Sequence, residues 1–213
     1  MHVFYLHGFA SSARSAKAAY FADRFRAHGI ALRCPDFNEP DFASLTMTRM
    51  LAQVAGEIRT LTPQPITLIG SSLGGVVAIH TAARMTDRID RLVLLAPAVM
   101  FPKDAQRVLG RDRVARWEAS GTLDVFHCAD GKMRSLNYAF YEDSMQYDVM
   151  AADVPQPTRI FQGRRDESVP CQDVERYAAT RPHMALTLLD DDHQLMASLP
   201  RIWSDMAEFL ELT

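Results

Sequence analysis

Ile66-Thr67-Leu68-Ile69-Gly70-Ser71-Ser72-Leu73-Gly74 is the stretch on which the reading of this chain turns. Ile66 to Ile69 is short and almost continuously apolar, as a strand buried on both faces should be. Leu73 to Met85 is apolar or small nearly all round, which describes a central helix pressed against a sheet. The joint between them satisfies G-x-S-x-G. A serine at a sharp strand-to-helix turn sits in a strained backbone conformation with its hydroxyl pointing out of the sheet, and small neighbours at Gly70 and Gly74 let the turn close. The helix start adds a partial positive charge and a free N–H at Leu73, suited to a developing oxyanion. A phosphate loop would need GxGxxG or GxxxxGK[ST], and neither can be drawn here. A plain helix start capped by Ser71 or Ser72 is the competing reading.

Working outward, strand and helix signals alternate on both sides of this turn. Strands are expected at 3–7, 30–34, 66–70, 92–95, 158–161 and 185–189, with helices near 15–27, 45–61, 73–85 and 171–180 and a final helix to the C-terminus. Within 45–61 the apolar residues Met47, Leu51, Val54, Ile58 and Leu61 step by four and three, so they share one face. The last helix carries Leu195, Leu199, Ile202, Met206 and Phe209 on one stripe. The pattern breaks from Phe101 to about Val154, a charged stretch, helical over Asp104 to Ala119 and interrupted by Gly110, Gly121 and Gly131. The expectation is α/β: one domain over 1–213 with a mostly parallel, doubly wound sheet of about six strands, and a helical cap at roughly 101–154 inserted after the fourth strand.

Composition narrows the function classes. The chain has 213 residues, 48% hydrophobic and a formal charge of -3, with its basic residues scattered, so no field draws it to nucleic acid. The longest apolar run, Leu92 to Phe101, contains Pro97 and is about half of the ~20 residues a membrane span needs. Met1 leads almost directly into strand-like sequence, so no export signal is expected, and Cys34, Cys128 and Cys171 form no CxxC pair, which suits a reducing compartment. The cytoplasm is the expected location.

The partners of a nucleophilic serine should follow it in the order acid, then histidine. Asp166 stands just beyond the strand at 158–161 and before a helix beginning near Pro170, and is preferred over its neighbour Glu167 as the orienting acid. No carboxylate follows the strand ending at Leu95-Ala96-Pro97. Of seven histidines, His193 alone lies between the last strand and the last helix, so it is the expected base. The acidic run Asp190 to Asp192 beside it reads as a solvated turn rather than a metal site, since no second His or Cys is near; no metal is expected. After the first strand, Leu6-His7-Gly8-Phe9 offers a second oxyanion donor in the N–H of Phe9. Gly8 would let the backbone approach a substrate, and His7 reads as a hydrogen-bonding structural residue.

These motifs together resemble the α/β-hydrolase superfamily along nearly the whole chain. Tyr5-Leu6-His7-Gly8-Phe9-Ala10-Ser11-Ser12 with Ser15-Ala16-Lys17-Ala18 resembles small bacterial esterases of the YqiA type, while Trp117 to Tyr147 and the Arg-rich loop before Asp166 are closer to mitochondrial-type palmitoyl thioesterases. The resemblance implies hydrolysis of a small-molecule acyl ester or thioester without a cofactor, by Ser72, Asp166 and His193. His7, Gly8, Trp117 and Tyr138 are candidates for contact with substrate. Cap residues such as Phe101, Trp117, Leu136, Tyr138 and Phe140 either line an acyl site or pack the cap onto the body. Lys103, Arg107, Arg111, Arg113 and Arg116 make one cap helix basic, which would suit an anionic leaving group if they are not simply solvated. A serine peptidase of the same fold and a non-catalytic binding protein are the alternatives.

Overall fold

Alternation along the strands divides the core in two. In the computed structural model, which describes residues 1–212, Phe4, Leu6, Leu68, Leu92, Leu94 and Ile160 face one buried cluster, and Val3, Tyr5, Ile69, Val93, Leu95 and Phe161 face another. Successive side chains of a strand point to opposite faces, so strands that are apolar at nearly every position must be covered twice.

Six parallel strands carry this pattern: His2–Leu6 (β1), Leu32–Arg33 (β2), Ile66–Ser71 (β3), Ile89–Leu95 (β4), Thr158–Gly163 (β7) and Met184–Leu189 (β8), in the order β2-β1-β3-β4-β7-β8. The chain runs one way from β1 to β2 and the other way from β3 onward, so the order reverses between β1 and β3. Crevices beyond the carboxyl ends of strands at such a reversal are where α/β sheets hold ligands.

Helices Ala16–Ala27 (α1) and Leu199–Phe209 (α8) cover one face, where Phe21, Phe25, Leu199, Ile202 and Met206 are buried. The other face carries Met47–Arg59 (α2), Leu73–Arg84 (α3) and Cys171–Ala179 (α7). Helix α2 buries Met47, Met50, Leu51, Val54 and Ile58, the stripe its spacing predicts, and Thr46 caps it by accepting from the Arg49 N–H at 3.0 Å. Leu61 falls just past its end. Helix α3 is buried from Leu73 through Ala82, which explains its lack of a polar face. None of the helices among the described residues is long and apolar enough to cross a membrane.

Between β4 and β7 the chain leaves the sheet. The helical stretch expected over 104–119 is split at Gly110, whose φ of 84° no helix accommodates, into Ala105–Leu109 (α4) and Arg111–Ser120 (α5). A two-stranded antiparallel hairpin follows, Thr122–His127 (β5) with Lys132–Asn137 (β6), and then Ala139–Ser144 (α6). The cap therefore contains strands as well as helices. Its hairpin alternates, with Leu123, Val125 and Leu136 turned inward and Thr122, Asp124 and Ser135 exposed, but its polar positions masked this in the sequence. At the other end of the chain Leu195 is buried with α8 yet lies in the preceding loop at a φ of 55°.

Candidate active site

Ser72, Asp166, His193 and the segment of Phe9 each stand on a loop at the carboxyl end of the sheet, Phe9 after β1, Ser72 after β3, Asp166 after β7 and His193 after β8, while Trp117 and Tyr138 belong to the cap. Ser72 has φ 52° and ψ -116°, a conformation that side-chain-bearing residues rarely adopt. The turn closes only because its neighbours lack side chains. A β-carbon at Gly70 would stand 2.5 Å from the Gly74 carbonyl oxygen, and one at Gly74 would overlap the carbonyl of Leu6. The Ser72 side chain makes no capping bond to α3, so the plain helix-cap reading does not describe it.

The Ser72 hydroxyl instead lies 3.1 Å from Nε2 of His193, and Nδ1 of His193 lies 2.7 Å from Oδ2 of Asp166. A neutral imidazole donates from one nitrogen and accepts at the other. Donation from Nδ1 to the carboxylate leaves the Nε2 lone pair facing the serine. Asp166 is buried, with Oδ1 accepting from the Ser168 and Val169 N–H groups at 2.9 and 2.8 Å. Burial works to raise the Asp166 pKa, but the bonds from His193, the Val169 N–H and Gln162 outweigh it, and the carboxyl is held below the usual range. Glu167, the rejected neighbour, is exposed.

Phe9 and Leu73, the two candidate N–H donors, line the same cavity as Ser72. Leu73 is the first residue of α3, so its N–H has no intrahelical acceptor. The N–H of Phe9 makes no hydrogen bond among the described residues. His7 is buried and stands behind this segment: Nε2 accepts from the Phe37 N–H at 3.0 Å, which leaves Nδ1 to donate to the Gly8 carbonyl at 2.9 Å and orient the peptide that carries the Phe9 N–H. A β-carbon on Gly8 would sit 3.3 Å from Cβ of Ser72, so the close approach expected of Gly8 is to the serine itself.

Ser72 and His193 open into a cavity of about 320 Å³ beneath the cap, lined largely by apolar groups including Phe9, Leu73, Phe101, Leu109, Trp117, Leu123, Val125, Leu136, Phe140 and Val169. That is within the range of small-molecule sites. Trp117 lines it and is fixed by donation from Nε1 to the Leu136 carbonyl at 3.0 Å. Tyr138 packs edge-on against Trp117 and is not part of the lining, and neither are His7 and Gly8. Two of the basic cap residues are engaged elsewhere, Lys103 with Asp148 at 2.6 Å and Arg107 with Asp104 at 2.8 Å.

The acidic run before His193 is less solvated than its composition suggests. Asp191 is 5% exposed and folds the loop by accepting from the N–H groups of Asp192 at 2.8 Å and Ser198 at 2.9 Å. Lys17 of α1 is buried near this loop. Burial lowers its pKa to about 8, against the pull of Asp192, Asp166 and Asp191. The expectation of a solvated turn is thus corrected at Asp191, and Lys17 and Gln162 were given no role in the sequence, because polarity gives no hint of burial.

Comparison with known proteins agrees with this architecture. The chain is 23% identical over 179 residues to the mitochondrial palmitoyl-protein thioesterase ABHD10 of Mus musculus, a match covering 80% of this chain and 60% of that protein. It is 31% identical over 129 residues to the biotin biosynthesis bifunctional protein BioHC of Teredinibacter turnerae, covering 57% of this chain and 21% of that protein. The chain thus spans less than two thirds of the length of either relative. Among solved structures, a putative hydrolase from Agrobacterium vitis S4 superposes with a TM-score of 0.84 at 24% identity, covering 97% of this chain and 87% of that one. Est1E from Butyrivibrio proteoclasticus with ferulic acid bound gives a TM-score of 0.83 at 22% identity, with 99% and 88% covered. The fold is that of the α/β hydrolases, and the chain, matched from residue 2 to residue 211, belongs to the family described as Uncharacterised protein family UPF0227.

Proposed function

We propose that the chain is a serine hydrolase that cleaves a carboxylic ester or acyl thioester through a covalent acyl-enzyme. The observation that carries this reading is the unbroken chain of contacts from Asp166 Oδ2 through His193 to the Ser72 hydroxyl, at 2.7 and 3.1 Å, at the mouth of an apolar cavity.

The chemistry follows from those contacts. His193 Nε2 takes the proton of Ser72 Oγ as the oxygen attacks the substrate carbonyl, and Asp166 holds the imidazole in the tautomer that makes this possible. The carbonyl oxygen, now negative, is met by the N–H groups of Phe9 and Leu73, whose hydrogens need no reorganisation at that moment. His193 passes its proton to the departing alcohol or thiol. Water, activated by the same imidazole, then frees the acid and restores Ser72. No step calls for a cofactor. The apolar cavity takes the acyl chain, and the thioesterase named among the relatives keeps a thioester in view beside an ester.

A series of p-nitrophenyl esters from acetyl to palmitoyl, run beside matched acyl thioesters with wild type and Ser72→Ala, tests the reading. Turnover that disappears in the variant supports it. Turnover that survives Ser72→Ala, or none with any substrate, overturns it.

A further inference from the structure

The geometry points to Gln162 as a positioning residue for the acid of this site, an inference that rests on the hydrolase reading above. Gln162 lies one residue before the end of β7, pairs in register with Leu188 and is fully buried. Strand alternation puts it on the same side as Ile160, in the apolar cluster that also holds Val169 and Val174. Packing alone would fill such a position with an aliphatic side chain.

Its amide nitrogen instead reaches Asp166 Oδ2 at 2.9 Å and the Val169 carbonyl at 3.0 Å, with the Gly163 carbonyl a longer third acceptor at 3.4 Å. The orientation of the amide follows from these partners, because the flipped group would set its oxygen against a carboxylate and a carbonyl. The other amide atom, Oε1, is buried with no partner among the described residues, so the group is held by its donors. The carboxylate of Asp166 thus accepts four hydrogen bonds: Ser168 N–H and Val169 N–H on Oδ1, His193 and Gln162 on Oδ2. The two backbone donors fix Oδ1, and Gln162 fixes the oxygen that faces the imidazole. It favours the ionised form of Asp166, which alone has lone pairs free for all four donors. Through Val169, which lines the cavity, the same amide ties the acid's turn to the wall of the acyl site.

A fluorophosphonate probe reads this role without knowledge of the natural substrate. Ser72 Oγ forms a bond to phosphorus, the P–F bond breaks, fluoride leaves and the serine proton passes to His193. The rate of labelling is measured for wild type, Gln162→Met, Asp166→Asn and the double variant, with melting temperatures and Gln162→Leu as a second donor-free replacement. We expect each folded Gln162 variant to label about 10- to 100-fold more slowly, the loss of one hydrogen bond to a charged group. In the Asp166→Asn background the same substitution should add nothing, since it acts through the carboxylate. Labelling at the wild-type rate in either folded variant overturns the role, and so does an equal slowing in both backgrounds, the mark of general loosening. A wild-type chain that takes no label removes the hydrolase reading and this role together, whereas a labelled wild type with indifferent Gln162 variants removes this role alone.

Discussion

Gly163 closes the end of β7 directly beneath the loop that carries the histidine: a β-carbon there would stand 2.5 Å from the carbonyl oxygen of Asp191. The contact is reinforced on either side, where the N–H groups of Arg164 and Arg165 donate to the carbonyls of Leu189 and Asp191 at 2.8 and 3.0 Å. Two loops that are 27 residues apart are thereby pressed together, and the separation of Asp166 from His193 is set by backbone packing as much as by the side chains.

Gly163→Ala should lift the histidine loop from the strand end. Overpacking of this kind costs about 1–3 kcal/mol of stability, and a reacting group displaced by about 1 Å can lose on the order of 10²-fold in rate. Chemical denaturation and ester turnover would register both losses. Undiminished turnover would mean that the loops can part without moving His193.

The strain at Ser72 separates the roles of its hydroxyl and its backbone. Ser72→Ala removes the hydroxyl proposed as nucleophile but keeps a β-carbon at a φ of 52°, whereas Ser72→Gly removes both. Turnover should fall by about 10⁴ or more in each. The glycine variant should melt higher than the alanine variant, by an amount worth about 1 kcal/mol, because relieved strain of about 1–3 kcal/mol exceeds the extra entropy of an unfolded glycine. Equal melting temperatures would show that the turn is not strained.

Acyl-chain preference should answer to the hairpin of the cap. Val125 of β5 lines the cavity, and Val125→Phe fills part of about 320 Å³ without touching Ser72 or His193. The optimum should move to shorter acyl chains while acetyl ester turnover stays within a few-fold of wild type. An unmoved optimum would put the acyl group outside this cavity.

Most of the sheet and the three central side chains were legible in the sequence, because each depends on a local signal: apolar strands, a glycine-flanked serine, a histidine between the last strand and helix. What escaped was of two kinds. The hairpin of the cap escaped because Thr122, Asp124, Lys132 and Ser135 face solvent and dilute its alternation with polar side chains. Tyr138 was a candidate for contact with substrate and packs edge-on against Trp117 outside the cavity lining, a distinction that no periodicity encodes. Gln162 and Asp191 escaped for the opposite reason, since both are polar residues buried by the turns that fold back onto them, with partners four and seven residues along the chain, a local fold that polarity does not announce.

The response of stability to pH should identify Asp166. Its carboxyl titrates lower in the folded chain than in the unfolded one, so the folded state binds fewer protons and the contribution to stability is present above the unfolded value of about 3.9. It is lost as pH falls through the folded value. The stability gap between wild type and Asp166→Asn should therefore be widest near neutrality and narrow below pH ~4. A gap independent of pH over that window would rule out a stabilised carboxylate.

Lys17 runs the other way. Its ammonium titrates at about 8 in the folded chain against an ordinary value of 10.5, so between those values the unfolded chain holds a proton that the folded chain has released. Stability should rise with pH across that window, and the charged form should be a net burden below it. The burden stems from burial, which Asp192, Asp166 and Asp191 offset only in part. Lys17→Met keeps the stem that packs in α1 and removes the charge, so the variant should be more stable than wild type at pH 7 and lack the rise between pH 8 and 10.5. Denaturant titrations at a series of pH values would compare the two slopes. A less stable Lys17→Met at neutral pH would mean that attraction to the loop carboxylates exceeds the cost of burial, and that the ammonium helps hold the His193 loop in place.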